Sequence, residues 1–235
     1  GGDSTKGHLL GPVRTLSLWY APSIAKYDPT RTLIGHVRGT QVNGWWLSVK
    51  QVNSDVKGPG QILTFGIDRF GDIGYDREST QYLNLVADKW THIVATHTGD
   101  TMRMYQDGVL ISQFAHGPNT NFNFGGDNLM VGARRHSFNP NPSYAPSSQA
   151  HGSIDDVRVY SRALTDAEVQ QLHEKEKSLP LSWPLNNLVA HYPFSGNAID
   201  YSGNDNNGTV RGADLSTGQG GDANDSYLFD GTNDD

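Results

Sequence analysis

The sequence predicts an all-β protein built as a sandwich or a barrel. Three observations carry this. The composition is turn-rich, with 27 glycines in 235 residues, abundant Asn and Asp, and only 18% charged residues. Apolar residues recur at every second position in short runs. Those runs are punctuated by turn residues, with one helical stretch among them.

The strands follow in chain order. Residues 14–20 (RTLSLWY) place Leu16, Leu18 and Tyr20 on one face and Ser17 and Trp19 on the other. Residues 33–37, 45–52 and 61–67 are further strand candidates. Residues 90–96, 101–106 and 109–114 form a meander, turning at Gly99-Asp100 and at Asp107-Gly108, the second a strong hairpin signal. Residues 129–133 and 154–160 complete the series. Thr165-Asp166-Ala167-Glu168 is a capping box, with Thr165 as N-cap and Glu168 three residues on. The short helix it opens has Leu164, Val169 and Leu172 on its sticky side and ends near Lys177, before Pro180. Residues 178–187 (SLPLSWPLNN) carry two prolines and read as a linker. Strands resume at 188–194, 208–211 and 227–229. Two loops rich in Pro, Ser and Asn, 117–128 and 137–150, read as surface connections or as a binding rim.

The composition also excludes. There is no cysteine, which rules out disulfides and thiolate metal sites. The formal net charge is −7 and Lys and Arg are scattered, which argues against a nucleic-acid partner. No apolar run reaches transmembrane length, so no membrane insertion is expected. The chain opens at Gly1 without a signal h-region, which reads as a mature or excised piece. A chain of this length buries roughly 70% of its unfolded surface, enough for a core without staples.

Two stretches are distinctive together: WTHIVATHTGDTMRMYQDGVLI (90–111) and HGSIDDVRVYSRALTDAEVQQL (151–172). They resemble the laminin-G-like, concanavalin A-like modules of bacterial surface proteins, over most of residues 13–173, and the second normally closes such a module. LVAHYPFSGNAIDYSGNDNNGTVRGADL (188–215) and SYLFDGTND (226–234) are similar to the way these modules open. The resemblance implies a two-sheet antiparallel jelly-roll sandwich with one short helix, secreted or held at a bacterial cell surface. It also puts a module's end before a module's beginning. Either a tandem array has been cut, or residues 188–235 complete the body at 13–177 as one circularly permuted domain. A 48-residue head cannot bury enough surface to fold alone, which favours permutation. A strand-exchanged dimer is the variant of it.

Asp200–Gly208 (DYSGNDNNG) alternates oxygen-bearing side chains at Asp200, Ser202, Asn204 and Asn206. A hard cation wants several oxygens from a compact loop, although the distal Glu of an EF-hand is absent. The alternative is an Asx-rich turn satisfying its own backbone. The resemblance implies a structural calcium between this loop and the last strand, with Asp155 or Asp156 as the acidic ligand. Strict alternation sets those two on opposite faces, so one of them faces a given ion, and Asp155 is favoured.

Glycan recognition pairs aromatic faces with amides, carboxylates and hydroxyls. In GWWLSVK (44–50) the adjacent tryptophans split, Trp45 with Leu47 and Val49 in the core and Trp46 with Ser48 and Lys50 on a wet face. Phe138, Asn139, Asn141 and Tyr144 are placed to line a rim on the second long loop. Catalysis finds less support. The strand motif Glu-x-Asp-x-x-Glu of jelly-roll glycosidases is missing, and Asp76-Arg77-Glu78 lacks its third member. His92 and His97 fall on opposite faces of one strand, which argues against a lyase. The expectation is therefore a non-catalytic, calcium-stabilised module that binds a glycan or mediates adhesion. A structural spacer or protein-interaction module is the alternative, and a jelly-roll hydrolase or lyase the second.

Overall fold

A computed structural model describes residues 15–23, 31–38, 43–54, 58–68, 77–83, 85–116, 129–133, 149–176, 186–232 and 234. In chain order its elements are β1 (Thr15–Pro22), β2 (Arg31–Arg38), β3 (Asn43–Ser54), β4 (Gly58–Asp68), β5 (Arg77–Leu83), β6 (Thr91–His97), β7 (Thr101–Gln106) and β8 (Val109–Ala115). There follow β9 (Met130–Val131), β10 (Gly152–Tyr160), α1 (Asp166–Glu176), β11 (Leu188–Tyr192), β12 (Asp214–Ser216) and β13 (Ser226–Phe229).

These strands make two antiparallel sheets. The larger runs β12-β13-β10-β1-β6-β7-β8, with β11 also paired to β10, and the smaller runs β5-β4-β3-β2-β9. The core lies between them. Leu16, Leu18, Tyr20, Ile93 and Met104 of the larger sheet meet Leu33, Trp45, Leu47, Val49, Leu63 and Phe65 of the smaller. The alternating apolar runs therefore do what their period requires, one face per sheet inward. The C-terminal stretch joins the same core through Ala190, Tyr192, Phe194, Tyr227 and Phe229. The ring of Phe229 lies where a Cβ on Gly132 would stand, 2.2 Å from that position.

The meander turns as expected. Asp107 and Gly108 both have positive φ, 50° and 78°, as a two-residue hairpin turn between right-twisted strands needs. The capping box forms in both directions. Thr165 N donates to Glu168 Oε2 at 2.9 Å and Glu168 N donates to Thr165 Oγ1 at 3.3 Å. Leu164, Val169 and Leu172 then press onto Val94, Tyr105 and Tyr160, on the far face of the larger sheet.

Three sequence expectations change. Residues 208–211 are not a strand, and the sheet edge there is β12, at 214–216. The polar run RESTQYL forms β5, which alternation did not reveal because Gln81 lies on the inward side with Leu83 while Tyr82 lies on the outward side. In β10 the strict alternation breaks. Ser17 faces Arg158 and Trp19 faces Asp155, so Leu18 alone opposes both Asp156 and Val157. That is a β-bulge, with Asp156 at φ 49°.

Candidate functional site

The bulge decides where the two aspartates go. Ile154 and Val157 both enter the core although they are three apart. Asp155 pairs with Trp19 and Arg158 with Ser17, so both point away from the core. Asp156 reaches Arg158 and His191 on that same outer side. The expectation of opposite faces is thus corrected: the inserted residue puts both carboxylates outside. The bulge also falls where the second edge of β10 changes partner, from β13 at residues 152–154 to β11 at residues 157–160.

The two carboxylates have opposite surroundings. Asp156 sits 2.7 Å from the Arg158 guanidinium and accepts a 2.7 Å hydrogen bond from His191 Nε2. Burial alone would raise its pKa, but the Arg158 charge and the His191 hydrogen bond outweigh burial and hold it well below the usual carboxylate range. Asp155 is 2% exposed and has no such cation among the described residues. Burial, with the negative charges of Asp156 and Asp225 adding to it, pushes its carboxyl up to about 7, against the hydrogen bond donated by Gln219 N at 2.9 Å. The turn over it depends on Gly218. A Cβ there would stand 3.0 Å from Asp155 Oδ2 and 2.8 Å from the Cβ of Asp225. Asp225, which sequence reasoning missed, is fixed by Ser195 Oγ, which donates to its Oδ1 at 2.6 Å. Its only sequence signal is its place just before the strand motif SYLF.

The loop at 200–208 is differently built. Asp200 Oδ1 accepts from His191 N at 2.9 Å and Ser202 N at 2.8 Å, and Oδ2 accepts from Ser202 Oγ at 2.8 Å and Asn206 N at 3.0 Å. Asn204 and Asn206 both aim their NH2 groups at the Val189 carbonyl, at 3.1 and 2.9 Å, and Ser202 Oγ lies 3.0 Å from it. The structure therefore brings Asp200, Ser202, Asn204 and Asn206 together. It presents filled carboxylate oxygens and amide donors, an arrangement that holds the loop without an ion. A cation there would need both amides turned over. Among the described residues no three His, Asp or Glu side chains converge as a metal site. Sequence reasoning passed over Tyr201, which is 60% exposed. The signal was available: the alternation that turns Asp200 and Ser202 inward turns the residue between them out.

The second face of the smaller sheet carries cross-strand rows. Thr32, Ser48, Thr64 and Thr80 form one hydroxyl row, and Lys50, Ile62 and Tyr82 another. Trp46 shares this face, as expected, but it is not wet. It is 4% exposed, and its indole fills the place where a Cβ on Gly66 would stand, 2.1 Å away. A ring laid across a glycine on the next strand packs instead of waiting for a ligand. Phe138, Asn139, Asn141 and Tyr144, like both long loops up to residue 148, lie outside the described residues.

Two antiparallel sheets packed face to face, a helix folded back after the last body strand, and a β10 flanked by late strands form one pattern. A family model described as the concanavalin A-like lectin/glucanases superfamily, Laminin_G_3, matches residues 10–170. The chain belongs to this family. Among solved structures, this Laminin_G_3 chain is similar to CBM40 of the Ruminococcus gnavus IT-sialidase bound to α2,3-sialyllactose. The two share 16% identity over 69% of this chain and 83% of that one, with a TM-score of 0.51. It is also similar to the heptameric SAP-like pentraxin of Limulus polyphemus, at 17% identity over 68% of this chain and 69% of that one, with a TM-score of 0.52. Identities this low establish the fold. No curated protein matches.

Proposed function

We propose that this chain is a non-catalytic glycan-binding or adhesive module, stabilised by calcium and working outside a bacterial cell. The carrying observation is the family itself, a concanavalin A-like sandwich whose similar structures include one bound to a sialyl-oligosaccharide. Function rides on sites grafted onto such a scaffold, so the chemistry has to agree. Three carboxylates of the β10 region, the helix and the 200–208 loop are committed to structure. Asp156 is tied to Arg158 and His191, Glu168 to Arg162, and Asp200 to four N–H and O–H donors. None of these stands free as an acid or base.

For calcium, the favoured place is Asp155. It is a buried carboxylate with no partner cation among the described residues, close to Asp225, at a break in β-pairing beneath the turn that carries Gln219. A hard cation draws on carboxylate oxygens, and it would remove the electrostatic cost that raises the Asp155 pKa. Residues 188–234 are read as the opening strands of the same module, entering the sheet through β10.

A glycan array run in calcium and again in chelator tests this reading. Hits in calcium that chelator weakens support a calcium-dependent binder, and hits that persist reduce the ion to a structural role. Silence across a broad array in calcium overturns the glycan reading in favour of a spacer.

A further inference from the structure

We infer that the loop at 197–208 is a saccharide contact, with the Tyr201 ring as its stacking platform and Asn204, Asp205 and Asn207 as its hydrogen-bonding groups. This rests on the glycan-binding reading and gives it an address. Sugar rings stack on exposed aromatic faces, and such faces are scarce among the described residues. Trp19, Trp45 and Trp46 are all below 5% exposed. Phe114 is in ring contact with His116. Tyr82, 43% exposed, engages other groups of the chain. Tyr201, at 60%, has no side-chain hydrogen bond or ring contact among the described residues.

The surrounding groups suit a polyol. Asn204 spends its NH2 on Leu188 O, Val189 O and Ser202 Oγ, which leaves its carbonyl oxygen as an acceptor. Asn207 Oδ1 accepts from Asp200 N at 2.9 Å, which leaves its NH2 as a donor. The Asp205 carboxylate is exposed and makes no hydrogen bond among the described residues. Two acceptors and a donor beside a bare ring match hydroxyls that both give and take. The platform is also rigid. The four bonds onto Asp200, with Gly208 N donating to Ala198 O at 2.7 Å and Tyr201 N donating to His191 O at 2.8 Å, fix the backbone on both sides of the ring. Little ordering cost is left for binding. A Cβ added at Gly203 would meet nothing within 4 Å, so the loop is a tip and not a groove. It therefore contacts one or two rings of a glycan.

The test is calorimetric titration of the oligosaccharide that binds tightest on an array of neutral and acidic glycans. The proteins are wild type, Tyr201→Ala, Tyr201→Phe, Asp205→Ala and Tyr82→Ala, each with its thermal midpoint checked. Tyr201→Ala is expected to weaken binding by about tenfold or more, Asp205→Ala by a few-fold, and Tyr201→Phe by less than about twofold, because stacking dominates. Tyr82→Ala should bind as wild type. If Tyr201→Ala binds as wild type, the placement is wrong while the glycan reading stands. If wild type itself binds nothing on the array, both fall.

Discussion

Replacing Asp155 by Asn removes a charge that the fold holds at a cost. The carboxyl is raised from 3.8 to about 7, chiefly by burial. The folded protein therefore grips a proton that the unfolded chain releases near pH 4. The advantage of the protonated acid is full below about pH 4 and is gone above about pH 7. Three pKa units correspond to about 4 kcal/mol, an upper figure for what the ionised group costs the fold at pH 8. The amide of Asn fits the same space and still accepts from Gln219 N. In chelator, urea unfolding followed by tryptophan fluorescence should show wild type losing stability between about pH 4 and pH 7. Asp155→Asn should stay nearly flat and be the more stable protein at pH 8 by about 2–4 kcal/mol. In 5 mM calcium the gap should narrow. Wild type would gain about 1–2 kcal/mol for a site of roughly 0.1–1 mM affinity, and the variant nothing. An Asp155→Asn protein less stable than wild type at pH 8 in chelator would refute the reasoning, since Asp155 would then have a compensating partner.

Arg158→Ala strands the buried Asp156 carboxylate with His191 alone, and should cost about 3–5 kcal/mol in urea unfolding at pH 7. The Asp156 pKa is depressed, so its stabilisation is present above about pH 4 and lost as pH falls through its lower folded value. The penalty of Arg158→Ala should therefore shrink in acid. Gly66→Ala drives a methyl into the Trp46 ring and should cost about 1–3 kcal/mol, with a change in tryptophan emission. Thr165→Ala removes one half of the capping box and should lower stability by about 0.5–2 kcal/mol, read by thermal unfolding.

The legible parts of this molecule are those where one local rule acts without competition. The meander β6–β7–β8 and the Asp107-Gly108 turn follow from alternation and from residues that tolerate positive φ. Helix α1 follows from its capping box, and its buried side from Leu164, Val169 and Leu172. The split of Trp45 from Trp46 follows from the pleat, but the burial of Trp46 does not. It depends on Gly66, twenty residues on, leaving room on the neighbouring strand. The bulge at Asp156 was illegible for a similar reason, because Asp-Asp reads as two alternating positions until the register with β1 is known. β12 is three residues long and exists through its pairing with β13. For the candidate site, the loop at 200–208 was found from its oxygens, and the Asx-rich turn that the sequence also offered describes its hydrogen bonds: Asp200 organises the backbone, and the outward residue is Tyr201. Asp225 meets Asp155 only through a turn that Gly218 allows.

The central claim is that this module holds glycans without cutting them. It is tested most directly by incubating the protein with a set of insoluble polysaccharides and measuring two quantities in the same tubes: protein retained on the solid, and saccharide fragments released into solution, read both as reducing ends and as the unsaturated ends a lyase leaves. The expected result is retention on at least one polysaccharide with no release above the buffer control. Time-dependent release of either kind of fragment would make the chain an enzyme, and absence of retention on every polysaccharide would leave it a spacer.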